Sequence, residues 1–359
     1  MACPELVEPG DVPAWLESNR HEAPVRLGVL SNPAARQNRV LPIHQHLTRA
    51  MADPGAVIET RRPGDLRRAL IHLLFRRRAN VIAANGGDGT LHTVVNALWD
   101  LLDEVEARFG VAMPSPHVLF LNGGTMNMVS RAMNTRENAV RTVRWFLREY
   151  GGRPLGALRT RRQRVLCAER PDRPGRSVAP RQVGFIFGSQ LVYNALWLYE
   201  YLGTGYGALL RFLGHAMVGV RWPTPLWRRY GHMIDMPKGA AIIDGVEHAP
   251  YAALVASTID MTLLKGVVSA LHVAEGSPGF HAKLILETDR ERLIGMIPEL
   301  MRERRHPRVL DVEGAQEVTV RGDYTLDGEL YAAHGEEPDE PVLVTAASRV
   351  LPAIHNEDD

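Results

Sequence analysis

The chain has 359 residues, of which 45% are hydrophobic and 23% are charged, and its formal net charge is +1. This composition is typical of an ordinary soluble globular protein with enough apolar residues for two domains. The near-zero charge gives no overall field that would favour a nucleic-acid partner. Two cysteines, Cys3 and Cys167, are too few for a disulfide scaffold and fit a reducing compartment.

The sequence predicts neither a secretory signal nor a membrane-spanning helix. Its first residues, Met-Ala-Cys-Pro-Glu-Leu-Val-Glu, lack a basic segment followed by an apolar one. The best apolar candidate, 251–274, is interrupted by Asp260 and Lys265, so it is too polar to span a bilayer.

After a polar lead-in over 1–24, predicted strands and helices alternate. The predicted strands are 27–30, 57–60, 81–84 and 118–121, and the predicted helices are 41–51, 66–77, 91–109 and 138–150. Strands separated by helices of this length form βαβ units, so we expect a parallel sheet.

The pattern changes after Gly151 and Gly152, where short apolar runs stand among Pro, Gly and charged linkers. The predicted strands of this part are 165–168, 183–187, 241–243, 251–257, 283–287 and 317–321, with helical insertions near 190–220 and 288–304. This spacing favours a second, mostly antiparallel β domain.

A glycine-rich turn, Gly86-Gly87-Asp88-Gly89-Thr90, joins the predicted strand 81–84 to the predicted helix 91–109. Such a turn offers backbone N–H groups beside the positive end of the helix dipole, which suits a phosphate. Without Cβ atoms, the glycines let the backbone approach the anion closely. The carboxylate of Asp88 would repel that anion, so we expect a divalent cation or a proton transfer between them.

Polar or glycine-rich turns follow the other predicted strands as well. Asn32 follows strand 27–30, Thr60 closes strand 57–60, and a second glycine-rich turn follows strand 118–121. That second turn contains Gly123, Gly124, Thr125 and Asn127. Because parallel strands bring their carboxyl ends to one edge of a sheet, where α/β proteins bind ligands, we expect these turns to form one site.

Four motifs in this order resemble those of the diacylglycerol kinase-type lipid kinases, which include sphingosine kinases, ceramide kinases and bacterial relatives. They are Val-Arg-Leu-Gly-Val-Leu-Ser-Asn-Pro at 25–33, Gly-Gly-Asp-Gly-Thr at 86–90, Leu-Asn-Gly-Gly-Thr-Met-Asn at 121–127 and Thr-Leu-Asp-Gly-Glu at 325–329, with a closing strand over 341–352. The resemblance implies an α/β N-terminal domain with a mostly parallel sheet and glycine-rich phosphate loops, formed by 25–152 with 335–359. It also implies a mostly antiparallel β-sandwich domain for the lipid substrate over 153–334.

The same resemblance implies ATP- and Mg²⁺-dependent phosphoryl transfer to the hydroxyl of diacylglycerol, ceramide or a sphingoid base. In relatives the Asp of the first glycine turn organises magnesium or acts as base, and the Glu of Asp-Gly-Glu is a proposed base. The matching residues are Asp88, which would also be the metal ligand, and Glu329. The residues expected to hold the nucleotide are Asn32, Pro33, Arg36, Thr60, Gly86, Gly87, Gly89, Thr90, Gly123, Gly124, Thr125, Asn127 and Asp327. Arg39 is an alternative to Arg36 as the source of guanidinium charge.

The chain departs from the family pattern at acidic positions. Many bacterial relatives have an Asp where Met128 stands, the Asp expected within 154–160 is missing, and an acidic pair of the β domain is at best replaced by Glu275 and Ser277. Either the metal is held differently or activity is reduced. Taken alone, the Asp-Gly of the last motif favours the turn of a β-hairpin, and the other motifs favour the catalytic role.

Segment 191–234 holds nine of the chain's 23 aromatic residues, interleaved with arginines. Aromatic rings beside basic residues favour a surface that faces lipid, and we expect Trp222 and Trp227 to lie in an exposed lipid-docking loop. An aromatic core helix is the alternative for this segment.

The resemblance therefore favours a cytoplasmic lipid kinase, peripherally associated with the inner face of the membrane, with no nucleic-acid partner. Two other functions stay open, an NAD kinase-like enzyme, because that related family shares Gly-Gly-Asp-Gly-Thr, and a catalytically weakened nucleotide- or lipid-binding protein. A homodimer also stays open.

Overall fold

The computed structural model describes residues 6–35, 38, 42–51, 53–124, 127–135, 137–171, 181–201, 211, 214–215, 218–219, 222, 224–234, 239–263, 268–273, 278–300, 306–332 and 340–355. The chain divides into two compact units. The first consists of residues 1–163 with 349–359, and the second of residues 164–348.

The helices are α1 (Asp11–Ser18), α2 (Ile43–Ala50), α3 (Pro63–Ile71), α4 (Asp88–Phe109), α5 (Met128–Ala132), α6 (Ala139–Tyr150), α7 (Leu191–Tyr201), α8 (Pro225–Tyr230) and α9 (Arg290–Leu300). The strands are β1 (Leu27–Ser31), β2 (Val57–Glu59), β3 (Val81–Gly86), β4 (His117–Asn122), β5 (Thr160–Gln163), β6 (Leu166–Glu169), β7 (Arg181–Gly184), β8 (Ile186–Gln190), β9 (Ala241–Ile243), β10 (Val246–His248), β11 (Ala253–Ser257), β12 (Met261–Leu263), β13 (Val268–Leu271), β14 (Phe280–Ile285), β15 (Val309–Ala315), β16 (Glu317–Arg321), β17 (Tyr324–Leu326), β18 (Glu329–Tyr331), β19 (Pro341–Ala346) and β20 (Leu351–Ile354).

The first unit is built on a six-stranded sheet in the order β2-β1-β3-β4-β20-β5. Strand β5 is antiparallel to β20, and the other neighbours are parallel. Every residue of β1 and β3 is buried, as expected of parallel strands covered on both faces. On one face the core contains Val29, Ala83 and Leu121 of the sheet with Leu47 of α2 and Phe146 of α6. The predicted α/β fold with a mostly parallel sheet is confirmed.

Local sequence sets the ends of the helices that frame this sheet. Helix α4 is followed by Gly110, whose φ of 66° is the left-handed conformation that glycine adopts without strain. Helix α6 begins after Asn138, whose side chain accepts a hydrogen bond from the Arg141 N–H at 3.0 Å.

The second unit contains two six-stranded antiparallel sheets. Their orders are β10-β9-β16-β19-β6-β7 and β15-β14-β11-β8-β17-β18. Apolar side chains of both sheets form one core, with Val318 and Val344 from the first sheet and Phe187, Leu254 and Leu284 from the second. The predicted β-sandwich is confirmed. Strands β12 and β13 pair as a separate hairpin.

The unit boundaries differ from the predicted ones. Strand β5 belongs to the first unit, which therefore continues to Gln163. The predicted closing strand over 341–352 is two strands, of which β19 pairs with β16 and β6 in the second unit and β20 pairs with β4 and β5 in the first. Alternating apolar residues suit either sheet, so the sequence pattern alone does not show where this segment pairs.

The predicted strand 183–187 is also two strands, β7 and β8, which belong to different sheets. The break lies at Phe185, because the backbone N–H groups of Phe185 and Ile186 donate to the Asp327 carboxylate at 2.8 and 2.9 Å. Among the described residues, no helix is long and apolar enough to cross a membrane.

Candidate functional site

The first glycine loop is shorter than predicted. Strand β3 ends at Gly86 and helix α4 begins at Asp88, so Gly87 alone separates them and Asp88, Gly89 and Thr90 form the first helical turn. The N–H groups of a first helical turn have no acceptor within the helix, and they lie at the positive end of its dipole. The carboxyl end of β3 therefore offers the anion-binding geometry that the sequence predicts.

The second glycine loop packs directly on the first. The Gly123 N–H donates to the Gly86 carbonyl at 3.0 Å. A Cβ on Gly124 would collide with the Cα of Gly87, and a Cβ on Gly123 would stand 2.8 Å from the Gly86 nitrogen. These glycines are thus required for close packing of two backbones, a role that the sequence analysis did not assign to them.

The Asp88 carboxylate holds the two loops together. Its two oxygens accept hydrogen bonds from the backbone N–H groups of Met128 and Val129, each at 3.1 Å. These are the first residues of α5, so Asp88 caps a helix that begins in the second loop. Met128, which stands where relatives carry an acidic side chain, contributes its backbone N–H to this arrangement.

Asn127 closes the second loop on itself. Its Oδ1 accepts the Gly124 N–H at 2.8 Å, and its Nδ2 donates to the Gly124 carbonyl at 3.1 Å. Asn127 has a positive φ of 51°, a conformation that asparagine tolerates better than most residues. The predicted nucleotide residue is therefore buried and has a clear structural task, while its contact with a nucleotide stays a prediction.

The Asn-Pro turn after β1 reaches the same edge. The Asn32 side chain donates to the Thr90 hydroxyl at 2.9 Å and accepts the Ala34 N–H at 2.9 Å, and the half-buried Pro33 follows it. The Thr60 N–H donates to the Ser31 carbonyl at 3.0 Å. The structure thus brings Asn32, Thr60 and Thr90 to the carboxyl edge of the sheet.

Polar side chains beneath the loops escaped the sequence analysis. Asn85, the residue before Gly86, donates through Nδ2 to the Ser31 hydroxyl at 3.0 Å and to Asn38 Oδ1 at 3.3 Å. Asn38 in turn donates to the Asn32 carbonyl at 2.6 Å. A polar residue at the end of an otherwise apolar strand is the sequence signal that could have revealed this network.

Some of the predicted positions lie outside the described residues. They are Arg36, Arg39, Thr125, Glu275 and Ser277.

In the second unit, the Asp-Gly-Glu motif forms a tight hairpin between β17 and β18. Asp327 and Gly328 have φ values of 53° and 91°, as a two-residue turn with positive φ at both positions requires. Asp327 is buried, and its carboxylate accepts the Phe185 and Ile186 N–H groups. Its place in the fold is structural, and its predicted contact with the nucleotide is untested. Glu329, by contrast, is exposed.

Helix α7 brings a second carboxylate to this hairpin. Partial burial and, to a smaller extent, the neighbouring Glu329 carboxylate raise the pKa of Glu200 above its ordinary value. Burial, with Tyr324 and Glu329 as charged or polar neighbours, also raises the pKa of Tyr331. Glu200 carried no signal in the sequence, because its approach to Glu329 depends on how α7 packs against β17 and β18.

The aromatic segment separates into buried and exposed side chains. Trp227 is only 9% exposed, and it packs against Gly219 and Gly231, with the Arg290 guanidinium 5.6 Å from its ring centroid. The predicted exposure of Trp227 is therefore wrong, because Gly219 and Gly231, which have no side chain, leave room for its indole. Trp222 is 72% exposed, and its contact with lipid stays a prediction.

The described side chains show whether the protein could hold Mg²⁺ at this site. Among the described residues, no three His, Cys, Asp or Glu side chains form a metal cluster. Mg²⁺ bound with a nucleotide uses one or two protein carboxylates and completes its shell with phosphate and water. Asp88 is a carboxylate at the glycine loops that fits this limited demand.

The interlocked glycine loops lie at the carboxyl edge of the parallel sheet, which is where α/β proteins bind ligands. Residues 26–150 match the family described as the diacylglycerol kinase catalytic domain. This match confirms the resemblance over that part of the chain, and a domain of this family implies a kinase.

The whole fold is similar to solved structures assigned as a diacylglycerol kinase from Bacillus anthracis str. Sterne. One has a TM-score of 0.59 at 16% identity, covering 92% of this chain and 97% of that chain. Another has a TM-score of 0.57 at 15% identity with the same coverage. At these identities the similarity concerns the fold. No curated protein matches the chain in sequence.

Proposed function

We propose that the chain is an ATP- and Mg²⁺-dependent lipid kinase that phosphorylates the hydroxyl of diacylglycerol, ceramide or a sphingoid base. The observation that carries this proposal is the match of residues 26–150 to the diacylglycerol kinase catalytic domain, over the segment that contains both glycine loops. Its acceptor would lie in a bilayer, so the proposal includes peripheral association with the inner face of the membrane.

In the proposed reaction the first unit holds the phosphates. The first-turn N–H groups of α4 and the Thr90 hydroxyl would donate to phosphate oxygens, since both lie at the carboxyl edge of the sheet. Asp88 keeps the second loop in place and would hold Mg²⁺ on its carboxylate. When bound, the metal neutralises phosphate charge.

Glu329 is the proposed general base. Its carboxylate would accept the proton of the lipid hydroxyl while that oxygen bonds to the γ-phosphorus and the bond from the γ-phosphorus to the ADP oxygen breaks. Asp88 is less suited to this task because each of its carboxylate oxygens already accepts a backbone N–H, and Asp327 is less suited because it is buried. Glu329 is exposed at the start of β18.

The test is phosphoryl transfer from radiolabelled ATP by the purified chain, with diacylglycerol, ceramide, sphingosine and NAD as separate acceptors. We expect transfer to at least one lipid. Glu329→Gln should lower kcat about 10²-fold or more with little change in ATP affinity. Glu317→Gln, which removes an exposed carboxylate elsewhere in the same unit, is the matched control and should retain kcat.

Two outcomes would contradict the proposal. Transfer to NAD without transfer to any lipid would favour the NAD kinase-like function. ATP and lipid binding without transfer to any acceptor would favour the catalytically weakened binding protein. A Glu329→Gln variant with normal kcat and weaker ATP binding would instead make Glu329 a nucleotide contact.

A further inference from the structure

Helix α7 presents two stacked aromatic rings at its surface. Trp197 and Tyr201, one helical turn apart, are 37% and 53% exposed. Their ring centroids are 5.6 Å apart, and the ring planes differ by 3°. Tyr230, the last residue of α8, meets Tyr201 at 5.2 Å in an edge-on arrangement, and the Arg229 guanidinium lies 5.3 Å from the Tyr230 centroid. We call these four residues the α7–α8 aromatic face.

This face is unusual within the described part of the chain. There, the exposed aromatic side chains are Trp197, Tyr201 and Trp222. Helix α8 buries Trp227, whereas Arg229 of the same helix is exposed. The buried ring that packs this helix against the unit is therefore not part of the exposed face. Clustered exposed apolar rings mark a binding surface more often than they serve stability.

We propose that the α7–α8 aromatic face docks on the surface of an anionic lipid bilayer. Trp and Tyr rings combine an apolar body with a polar edge and favour the boundary between headgroups and acyl chains. Arg229, an exposed residue whose guanidinium lies beside the Tyr230 ring, suits anionic headgroups. Because the rings already stack on each other, docking immobilises few additional side-chain rotamers.

The inference deepens the proposed function and rests on it for the presence of a lipid acceptor, but docking can be measured without catalysis. The full chain is mixed, without nucleotide, with phosphatidylcholine vesicles that contain or lack phosphatidylserine, and the bound fraction is determined by sedimentation. We expect binding that depends on phosphatidylserine and weakens with added salt.

Three variants locate the contact. Trp197→Ser with Tyr201→Ser should weaken vesicle binding about tenfold or more, because the apolar area that the two exposed rings would bury in the bilayer is lost. Arg229→Gln should weaken it about fivefold. Val246→Ser removes an exposed apolar side chain on β10 of the same unit and should leave binding unchanged.

A fluorescence measurement separates direct contact from an effect on folding. Lipids brominated on the acyl chain quench tryptophans that touch the bilayer, so part of the wild-type emission should be quenched on binding. In Trp197→Phe, which keeps an aromatic ring on α7, that quenched part should shrink. Thermal unfolding of each variant shows whether the second unit remains folded.

The docking inference is overturned if the wild-type chain does not bind anionic vesicles, if the double variant binds as the wild type does, or if Trp197→Phe leaves quenching unchanged. It is also overturned if the double variant turns a dimer into a monomer, since the face would then join two copies of the chain. Vesicle binding without lipid phosphorylation would instead overturn the proposed function and leave the docking face intact.

Discussion

Replacing Asp88 with Asn should loosen the second glycine loop. The two carboxylate oxygens accept the N–H groups of Met128 and Val129 at 3.1 Å each. An amide offers one acceptor oxygen and turns its NH₂ group toward the other N–H, so one charge-assisted hydrogen bond is lost. Such a bond contributes about 1.5–3 kcal/mol, and the lost negative charge at the start of α5 adds about 0.3–1 kcal/mol.

The expected local destabilisation is therefore on the order of 2–4 kcal/mol, which corresponds to roughly 30- to 900-fold faster amide exchange if exchange occurs by local opening. Hydrogen-exchange mass spectrometry on a peptide covering 127–135 measures it. Glu104→Gln is the matched control, because it removes a carboxylate of the same helix that makes an exposed ion pair with Arg67.

Phosphoryl transfer by Asp88→Asn should fall about 10²-fold or more, because the phosphate loops and the proposed metal ligand change together. A folded Asp88→Asn variant with wild-type exchange at 128–129 would refute the loop-holding role. A variant with fast exchange and near wild-type turnover would instead remove Asp88 from the chemistry.

Further predictions concern stability. Asp327→Asn should lower the free energy of unfolding by about 1–3 kcal/mol, because a buried acceptor of two N–H groups is weakened, while the exposed Glu329→Gln should change it little; urea titration compares them. Gly123→Ala should lower the melting temperature by overpacking that costs about 1–3 kcal/mol, whereas Gly64→Ala, with nothing within 4 Å of the added Cβ, should not. Burial lowers the pKa of His117 from 6.5, so the stability that its neutral form contributes is present above pH 6.5 and is lost as the pH falls through the lower folded-state pKa. His117→Gln should therefore reduce the loss of stability between neutral and acidic pH. An unchanged dependence of the free energy of unfolding on pH would contradict this.

The sequence predicts the fold best where strands and helices alternate directly along the chain. The alternation over 27–150 predicts β1 to β4 to within a few residues, because buried strands are apolar runs and the helices between them are amphipathic. The glycine turns likewise identify the edge of the sheet where the candidate site lies.

Features that depend on distant partners escaped prediction. The break at Phe185 requires the Asp327 carboxylate, which is more than a hundred residues away in the chain. Trp227 lies beside the Arg290 guanidinium, which belongs to a different helix much later in the chain. Neither partner can be recognised from the local sequence pattern, so the buried Trp227 and the exposed Trp222 look alike in the sequence.

The same limit applies to the carboxylates of the motifs. In the sequence, Asp88, Asp327 and Glu329 all stand beside glycine in turns, so the local pattern alone does not separate their roles. The structure separates them, because Asp88 and Asp327 accept two backbone N–H groups each, whereas Glu329 stands exposed beside Glu200. A base must accept a proton without dismantling its own support, and Glu329 meets that condition best. Asp88 instead fixes the backbone of the second glycine loop, and Asp327 fixes the backbone of the hairpin that carries Glu329. Replacing either aspartate should therefore change local structure first, whereas replacing Glu329 should change the rate of transfer.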